Sequence, residues 1–191
     1  MQLSKLKFSE KIEPYKGVIY FATILMLSNL FWKYNILGDE SYSLDSKVTF
    51  WGLDISSPFS WMADAIAKST LFILNLLGFN VTLDIGNVFR HENGFNVQVV
   101  WACTGLKQAY IFFCIIAFYR GPWKKKFWFI PLGLVVVFLF NLFRIAFIIG
   151  IVGFYPHWFE FLHIIVFKYL FYGVIFLMWV YWEEKIVQKN R

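Results

Sequence analysis

Three side chains of the kinds used in nucleophilic catalysis stand in apolar surroundings in this sequence: Cys103, Arg144 and His163. A cysteine attacks as its thiolate, and an ordinary thiol, with a pKa of about 8.5, is mostly protonated at neutral pH. A nearby cation or helix N-terminus lowers that pKa, and a histidine can take or return the proton. The arginine could serve the thiolate, or it could stabilise the oxyanion of a tetrahedral intermediate. The residue types leave both roles open.

Arg144 is the most unusual of the three because it interrupts the apolar run Asn141-Leu142-Phe143-Arg144-Ile145. A charge inside a membrane helix is expensive, so such an arginine normally faces a protein partner or a wet cavity. Counted from Phe127, it lies about 25 Å along a helix, the same end at which Cys103 and His163 open their own apolar segments. We therefore expect the three side chains at one depth, with Asn141 one turn from Arg144 on the same face.

Each of these residues also has an ordinary structural interpretation. A lone cysteine is often a small apolar filler, as we expect for Cys114, and His157 competes with His163 for the role of proton carrier. Lys107 could simply extend its ammonium to the membrane surface. No HExxH motif or second cysteine lies near Cys103, so we expect neither a metal ion nor a cofactor.

The composition indicates an integral membrane protein rather than a soluble domain. The chain has 191 residues, of which 59% are hydrophobic and only 16% charged, and its mean hydropathy is +0.59. Aromatic residues make up 23% and suit interfacial belts, which argues against a disordered chain. The net charge of +6 lies in short loops and tails, so it indicates membrane orientation and no nucleic-acid partner.

We predict an all-α polytopic membrane protein forming a single membrane domain over 1–191, with four to five transmembrane helices. Four segments are long and apolar enough to cross a hydrocarbon layer of about 30 Å: 17–37, 103–119, 127–153 and 159–181. A fifth segment, 57–79, carries Asp64 and Lys68 one turn apart and is predicted to be an interfacial or re-entrant helix; a fifth true span with an inverted N-terminus is the alternative. The first span lacks a small-residue cleavage site, so we expect it to remain as an anchor.

The basic residues set the predicted orientation in the cell membrane. The short loop between the second and third predicted spans holds Arg120 and the run Lys124-Lys125-Lys126, and both tails are also rich in lysine. Lysine and arginine near span ends stay in the cytoplasm. We therefore expect cytoplasmic N- and C-termini, residues 38–102 outside, and an active site on the outer side.

Between residues 80 and 100, apolar and polar residues alternate, so that the hydrophobic pattern has a period of two. Val81, Leu83 and Ile85 alternate with polar residues, as does the run 95–99, and Asn93-Gly94 lies between the two runs. This pattern predicts a small β-hairpin, which must stand in water outside the membrane because unpaired strands are costly in hydrocarbon. The hairpin would lead directly into Cys103.

The run Val99-Val100-Trp101-Ala102-Cys103-Thr104-Gly105-Leu106-Lys107, followed by Asn141-x-x-Arg144-Ile145 and then His163, resembles the exosortase and archaeosortase family of membrane transpeptidase-like enzymes. The resemblance covers about residues 57–180. The family pattern reads A-C-S-G-[LI]-R, N-x-x-R-[IV] and H. Thr104 therefore stands for the commoner serine, Lys107 for the commoner arginine, and the usual glycine soon after the histidine is replaced by a distant Gly173.

The resemblance implies cysteine-dependent cleavage of a C-terminal sorting signal on exported proteins. Such a signal consists of a short motif, an apolar helix and a basic tail, and the new C-terminus would pass from an acyl-enzyme to an acceptor whose identity is not implied. Carried over, Cys103 is the nucleophile, His163 the proton-transfer residue and Arg144 the thiolate or oxyanion stabiliser. Asn141, Thr104 and Lys107 are supporting or substrate-binding residues.

Two other functions remain open at this level. The chain could be a non-enzymatic membrane scaffold in which Arg144 neutralises a partner carboxylate and Cys103 is incidental. It could also be a membrane acyltransferase that carries a lipid acyl group on Cys103. Substitution of Cys103 distinguishes an enzyme from a scaffold. The chemistry of a trapped thioester, peptide or lipid acyl, then distinguishes the transpeptidase from the acyltransferase.

Overall fold

The structure is a computed structural model that describes residues 15–38, 47–92 and 94–190. It is mostly helical, at 74%, with two small sheets, which confirms the helical class; the prediction had included one small hairpin as its only strands. The lysines of the N-terminal tail before residue 15, and Asn93 of the predicted hairpin turn, lie outside the described residues.

In the described residues, most of the structure lies in five α-helices: α1 (Lys16–Asn35), α2 (Ser56–Leu76), α3 (Leu106–Phe118), α4 (Trp123–Val152) and α5 (Phe167–Trp182). Shorter 3-10 segments occur at Trp101–Thr104, Pro156–Trp158 and Gln188–Asn190. Two π-helical segments flank α5, at Phe161–Val166 and Glu183–Val187. A π-helix is uncommon and often occurs at functional sites.

Two helical runs in the described residues are long and apolar enough to cross a membrane: α4 and the continuous run Pro156–Val187. The predicted span 103–119 is shorter than expected, because its first residues form a 3-10 turn and α3 has only 13 residues, about 20 Å of rise. The predicted span 17–37 corresponds to α1, which gives way to a strand at Ile36. The total number of spans stays a prediction.

A first three-stranded antiparallel sheet, absent from the sequence prediction, follows α1. Its strands are β1 (Ile36–Gly38), β2 (Val48–Phe50) and β3 (Leu53–Asp54), in that order. Gly38 lies against the indole of Trp101, where a Cβ would approach ring atoms to 2.6 Å. The sheet therefore packs directly on the 3-10 turn that carries Cys103.

The predicted two-stranded hairpin over 80–100 is wrong in its pairing. The second sheet has three antiparallel strands, β4 (Val81–Asp84), β5 (Val88–His91) and β6 (Asn96–Gln98), and β5 pairs with both of the others. The chain reverses at Gly86 and Asn87, whose φ angles are 78° and 61°, a backbone conformation that glycine and asparagine adopt readily. The runs at 81–85 and 95–99 are thus the two edges of one sheet.

Helix α2, predicted over 57–79, buries one face and exposes the other. Ile66, Ala67 and Leu74 pack against α4 and the second sheet, whereas Asp64 and Lys68 are exposed. The Asp64 carboxylate accepts a hydrogen bond of 2.7 Å from the Asn87 side chain. This contact ties the β4–β5 turn to the helix, and the location of α2 at the interface stays a prediction.

Two large hydrophobic clusters hold most of the helices together, and a smaller third one of Trp32, Val48 and Phe59 joins α1, the first sheet and α2. One joins α1, α3, α4 and α5 through side chains such as Phe112, Phe171 and Trp182. The other joins α2, the second sheet, the last third of α4 and the π-helical segment before α5, and Cys103 packs against it. The candidate catalytic residues therefore lie where the second cluster meets the start of α3.

Candidate active site

Cys103 lies in the 3-10 turn Trp101–Thr104, two residues before Gly105 ends that turn. The Cys103 amide donates to the Val100 carbonyl at 2.9 Å, and the Thr104 hydroxyl donates to the Trp101 carbonyl at 2.7 Å. These bonds hold the turn closed. Cys103 thus precedes α3 rather than opening it, and the hydroxyl of Thr104, a predicted supporting residue, is engaged within the turn itself.

Asn141 of α4 contacts the main chain of the turn that carries Cys103. Its side-chain Nδ2 donates a 2.9 Å hydrogen bond to the Cys103 carbonyl oxygen, and the residue is fully buried, at 0% exposure. Gly105 makes this approach feasible, because a Cβ there would lie 2.9 Å from Asn141 Cγ. Asn141 therefore links α4 directly to the Cys103 turn.

Arg144 is buried, with 8% of its surface exposed. One guanidinium nitrogen, Nη2, lies 3.3 Å from Nδ1 of His163, and Cys103 is near enough for an electrostatic interaction with the guanidinium. The structure thus brings the predicted cysteine, asparagine, arginine and histidine into one neighbourhood, although they come from three separate segments of the chain.

His163 lies in the π-helical segment Phe161–Val166 and is partly buried. Its imidazole stacks on the ring of Phe159, with centroids 5.3 Å apart and planes inclined by 16°. His157, the alternative histidine, is exposed in the preceding 3-10 turn and packs edge-on against Tyr155. The contact with Arg144 distinguishes His163 from His157.

Two buried polar atoms of the site have no hydrogen-bond partner among the described residues, Asn141 Oδ1 and Arg144 Nε. They sit one turn apart on α4. Buried polar atoms are normally satisfied, so an acceptor and a donor in this position are suited to bind a water molecule or the polar atoms of a peptide bond.

Lys107 lies in a small cleft beside Cys103. The cleft, about 250 Å³ in volume, is lined by the end of α1, strand β1 and residues on both sides of Cys103, including Ala102 and Thr104. Its walls are partly aromatic, from Trp32 and Trp101. The structure therefore places the predicted supporting residue Lys107 next to the Cys103 turn, on the side of α1.

Sequence reasoning missed Phe159, and it quoted Gly105 only as part of the motif, without a structural role. Phe159 carries no signal of its own, being one of 24 phenylalanines, although its position four residues before His163 would place the two rings on one helix face. Gly105 has a φ of 75°. A glycine directly before an apolar run is a sequence signal for such a turn.

Comparison with protein families matches residues 47–181 to the family described as transmembrane exosortase (Exosortase_EpsH). The chain belongs to this family. The exosortase match includes strands β2 to β6, the Cys103 turn and the helical segments that carry Asn141, Arg144 and His163, so it covers all of these candidate residues.

A curated relative of this exosortase family member is Archaeosortase A of Haloferax volcanii, 28% identical over 113 residues. The match covers 55% of this chain and 37% of the relative, so the chain aligns with little more than a third of that protein. No solved structure matches the chain.

Proposed function

We propose that this protein is a membrane cysteine transpeptidase of the exosortase type. Its substrates are exported proteins that end in a short motif, an apolar helix and a basic tail, and it cleaves at the motif and passes the new C-terminus to an acceptor. The observation that carries the proposal is the convergence of Cys103, Arg144 and His163 around Asn141, from three separate segments.

In the first half of the reaction, Cys103 Sγ attacks the carbonyl carbon of the scissile peptide bond. The thiol proton passes to His163, and an oxyanion forms on the substrate carbonyl. The C–N bond then breaks, His163 returns the proton to the leaving amine, and a thioester remains on Cys103. Arg144 is the cation that compensates the negative charge of the thiolate and the oxyanion.

The contact between Arg144 and His163 constrains this sequence of proton transfers. An arginine side chain only donates hydrogen bonds, so Nδ1 of His163 is the acceptor and neutral imidazole carries its proton on Nε2. In this arrangement Arg144 occupies the basic lone pair of His163. A guanidinium that turns toward the developing negative charge therefore frees Nδ1 to accept the thiol proton, which couples charge stabilisation to general-base catalysis.

In the second half, an acceptor nucleophile attacks the thioester carbonyl and gives its proton to His163. The C–S bond breaks, and the proton returns to Cys103. In the proposed orientation this chemistry takes place on the outer side of the membrane, within a single membrane domain, while the basic loop between α3 and α4 stays in the cytoplasm.

Substitution of the nucleophile tests the proposal. We expect Cys103→Ala to abolish processing of an exported protein that carries such a C-terminal signal, whereas Cys114→Ala, which alters a buried cysteine within α3, leaves processing intact. A thioester trapped on Cys103 with a labelled signal peptide identifies peptide transfer. Full processing by a membrane-inserted Cys103→Ala protein would refute the proposal.

A further inference from the structure

A groove opens between α3 and α4 beside the loop that joins them. It has a volume of about 820 Å³, and its walls are mostly apolar, with Phe113, Ala117 and Phe127 among the lining side chains. The two helices approach closely at Gly133, where a Cβ would overlap the ring of Phe112. The groove lies between this crossing and the loop, and Phe127 is 81% exposed, so it opens to the surroundings of the helices.

The loop end of the groove is cationic. Lys126 lines it and is buried, and its ammonium donates to the carbonyl oxygens of Ala117 at 2.8 Å and Tyr119 at 2.6 Å. The same ammonium lies 4.5 Å from the ring centroid of Trp123. These partners are neutral, so they hold the ammonium in place without cancelling its charge.

Arg120 lines the same end and is fixed by an acidic partner. Its Nη2 pairs with Glu183 Oε1 at 2.8 Å, while its buried Nε has no hydrogen-bond partner among the described residues. Lys124 and Lys125 directly precede Lys126 in the sequence. Two cations, Arg120 and Lys126, therefore stand at the mouth of an apolar slot with the single carboxylate of Glu183, and Lys124 and Lys125 lie beside them in the first turn of α4.

We propose that this groove binds one anionic phospholipid, with an acyl chain between α3 and α4 and the phosphate beside the basic loop. Cations near a membrane surface attract anionic headgroups, and a volume of this size is typical of ligand sites. The competing occupant, a substrate helix that ends in a basic tail, would bring its cations against Arg120 and Lys126. Charge complementarity therefore favours the lipid, and binding requires no catalytic activity.

Photo-crosslinking of the full-length protein in nanodiscs tests this site. The probe is a photoactivatable phosphatidylglycerol, with unlabelled phosphatidylglycerol or phosphatidylcholine as competitor. We expect crosslinks within residues 113–131, displaced by phosphatidylglycerol much more effectively than by phosphatidylcholine. The double variant Lys124→Gln with Lys125→Gln should weaken binding about fivefold per cation, and Ala117→Phe should block the acyl slot.

Matched controls separate the groove from general charge and hydrophobicity. Lys185→Gln with Lys189→Gln removes two exposed cations that do not line the groove, and Val135→Phe enlarges an exposed α4 side chain outside it; neither should change the crosslinks. If Ala117→Phe does not fold, the lysine variant still gives the answer. Equal competition by the two lipids, crosslinks outside 113–131, or displacement of the lipid by a signal peptide would overturn the proposal.

Discussion

Nδ2 of Asn141 donates a 2.9 Å hydrogen bond to the main-chain carbonyl oxygen of Cys103. This bond joins the long helix α4 to the turn that carries the proposed nucleophile Cys103, and α4 also carries Arg144. The position of the sulfur relative to the guanidinium therefore depends on one buried amide.

Asn141→Ala removes this bond and should lower the free energy of unfolding by about 1–3 kcal/mol, since it leaves a buried carbonyl unsatisfied. Asn141→Asp should be worse, because an ionised carboxylate offers only acceptors to the Cys103 carbonyl. The measurement is thermal unfolding in detergent alongside signal cleavage. Asn75→Ala, at an exposed position of α2, is the control; equal losses in the two alanine variants would contradict the assigned role.

Arg144→Gln should lower the rate of signal cleavage by about 100- to 1,000-fold, the usual effect of losing a donor to a developing oxyanion. Alkylation of Cys103 as a function of pH then separates the two roles of the arginine. A profile moved to higher pH means that Arg144 stabilises the thiolate, and an unchanged profile means that it acts on the oxyanion. Normal cleavage by the variant would remove Arg144 from the mechanism.

Gly105→Ala should impair both folding and cleavage for two reasons. The residue has a φ of 75°, and a Cβ would press on Asn141 at 2.9 Å; the left-handed backbone alone costs about 1–2 kcal/mol. Gly78→Ala is a matched control, since Gly78 has a φ of 82° but no atom within 4 Å of the added Cβ. We expect a larger loss of stability at Gly105, and similar losses would mean that contact with Asn141 is unimportant.

Phe159→Leu should slow cleavage by about tenfold or less, the magnitude of one aromatic stack, because the imidazole of His163 loses its support. Phe159→Tyr should restore the rate, and the pH profile of cleavage should change only in the leucine variant. Phe161→Leu, which removes a ring that packs edge-on against Trp158 instead of stacking on His163, serves for comparison. A rate in Phe159→Leu that matches the wild type would show that the stack does not position His163.

His91 makes the packing of the second sheet sensitive to acid. Its ring lies against Gly153, and burial lowers the pKa of His91 from its usual 6.5. The unfolded chain therefore binds this proton more readily, so the associated stability is complete above pH 6.5 and is lost as the pH falls below it. Melting temperatures measured from about pH 8 to about pH 5 should fall less in His91→Gln than in the wild type, and His157→Gln should leave the fall unchanged.

The sequence was sufficient to pick out the polar side chains that the structure brings together, but not the contacts that hold them. Arg144 and Asn141 stand out because polar side chains are costly in an apolar helix, and Cys103 and His163 open neighbouring apolar segments. The partner of Asn141 could not be predicted, since it is a main-chain atom 38 residues away. The stacking of Phe159 on His163 could not be predicted either, because nothing in the sequence distinguishes Phe159 from the other phenylalanines.

The strands were predicted less well for a local reason. Strand β5 contains Phe89, which is fully buried, between Val88 and Arg90, and four residues are too few for alternation to be distinguished from a loop. The residues Gly86 and Asn87, which form the turn between β4 and β5, were the sequence feature that could have indicated this extra strand. The first sheet consists of strands of two or three residues, which are shorter than any reliable periodic pattern.

The position of the Cys103 turn along α4 has a consequence for the proposed acyl-enzyme. The turn meets α4 at Asn141, eleven residues before that helix ends at Val152, a recess of about 16 Å along the axis. We expect a thioester held at this depth to be less open to water than one at the helix end, which would favour transfer to an acceptor over hydrolysis.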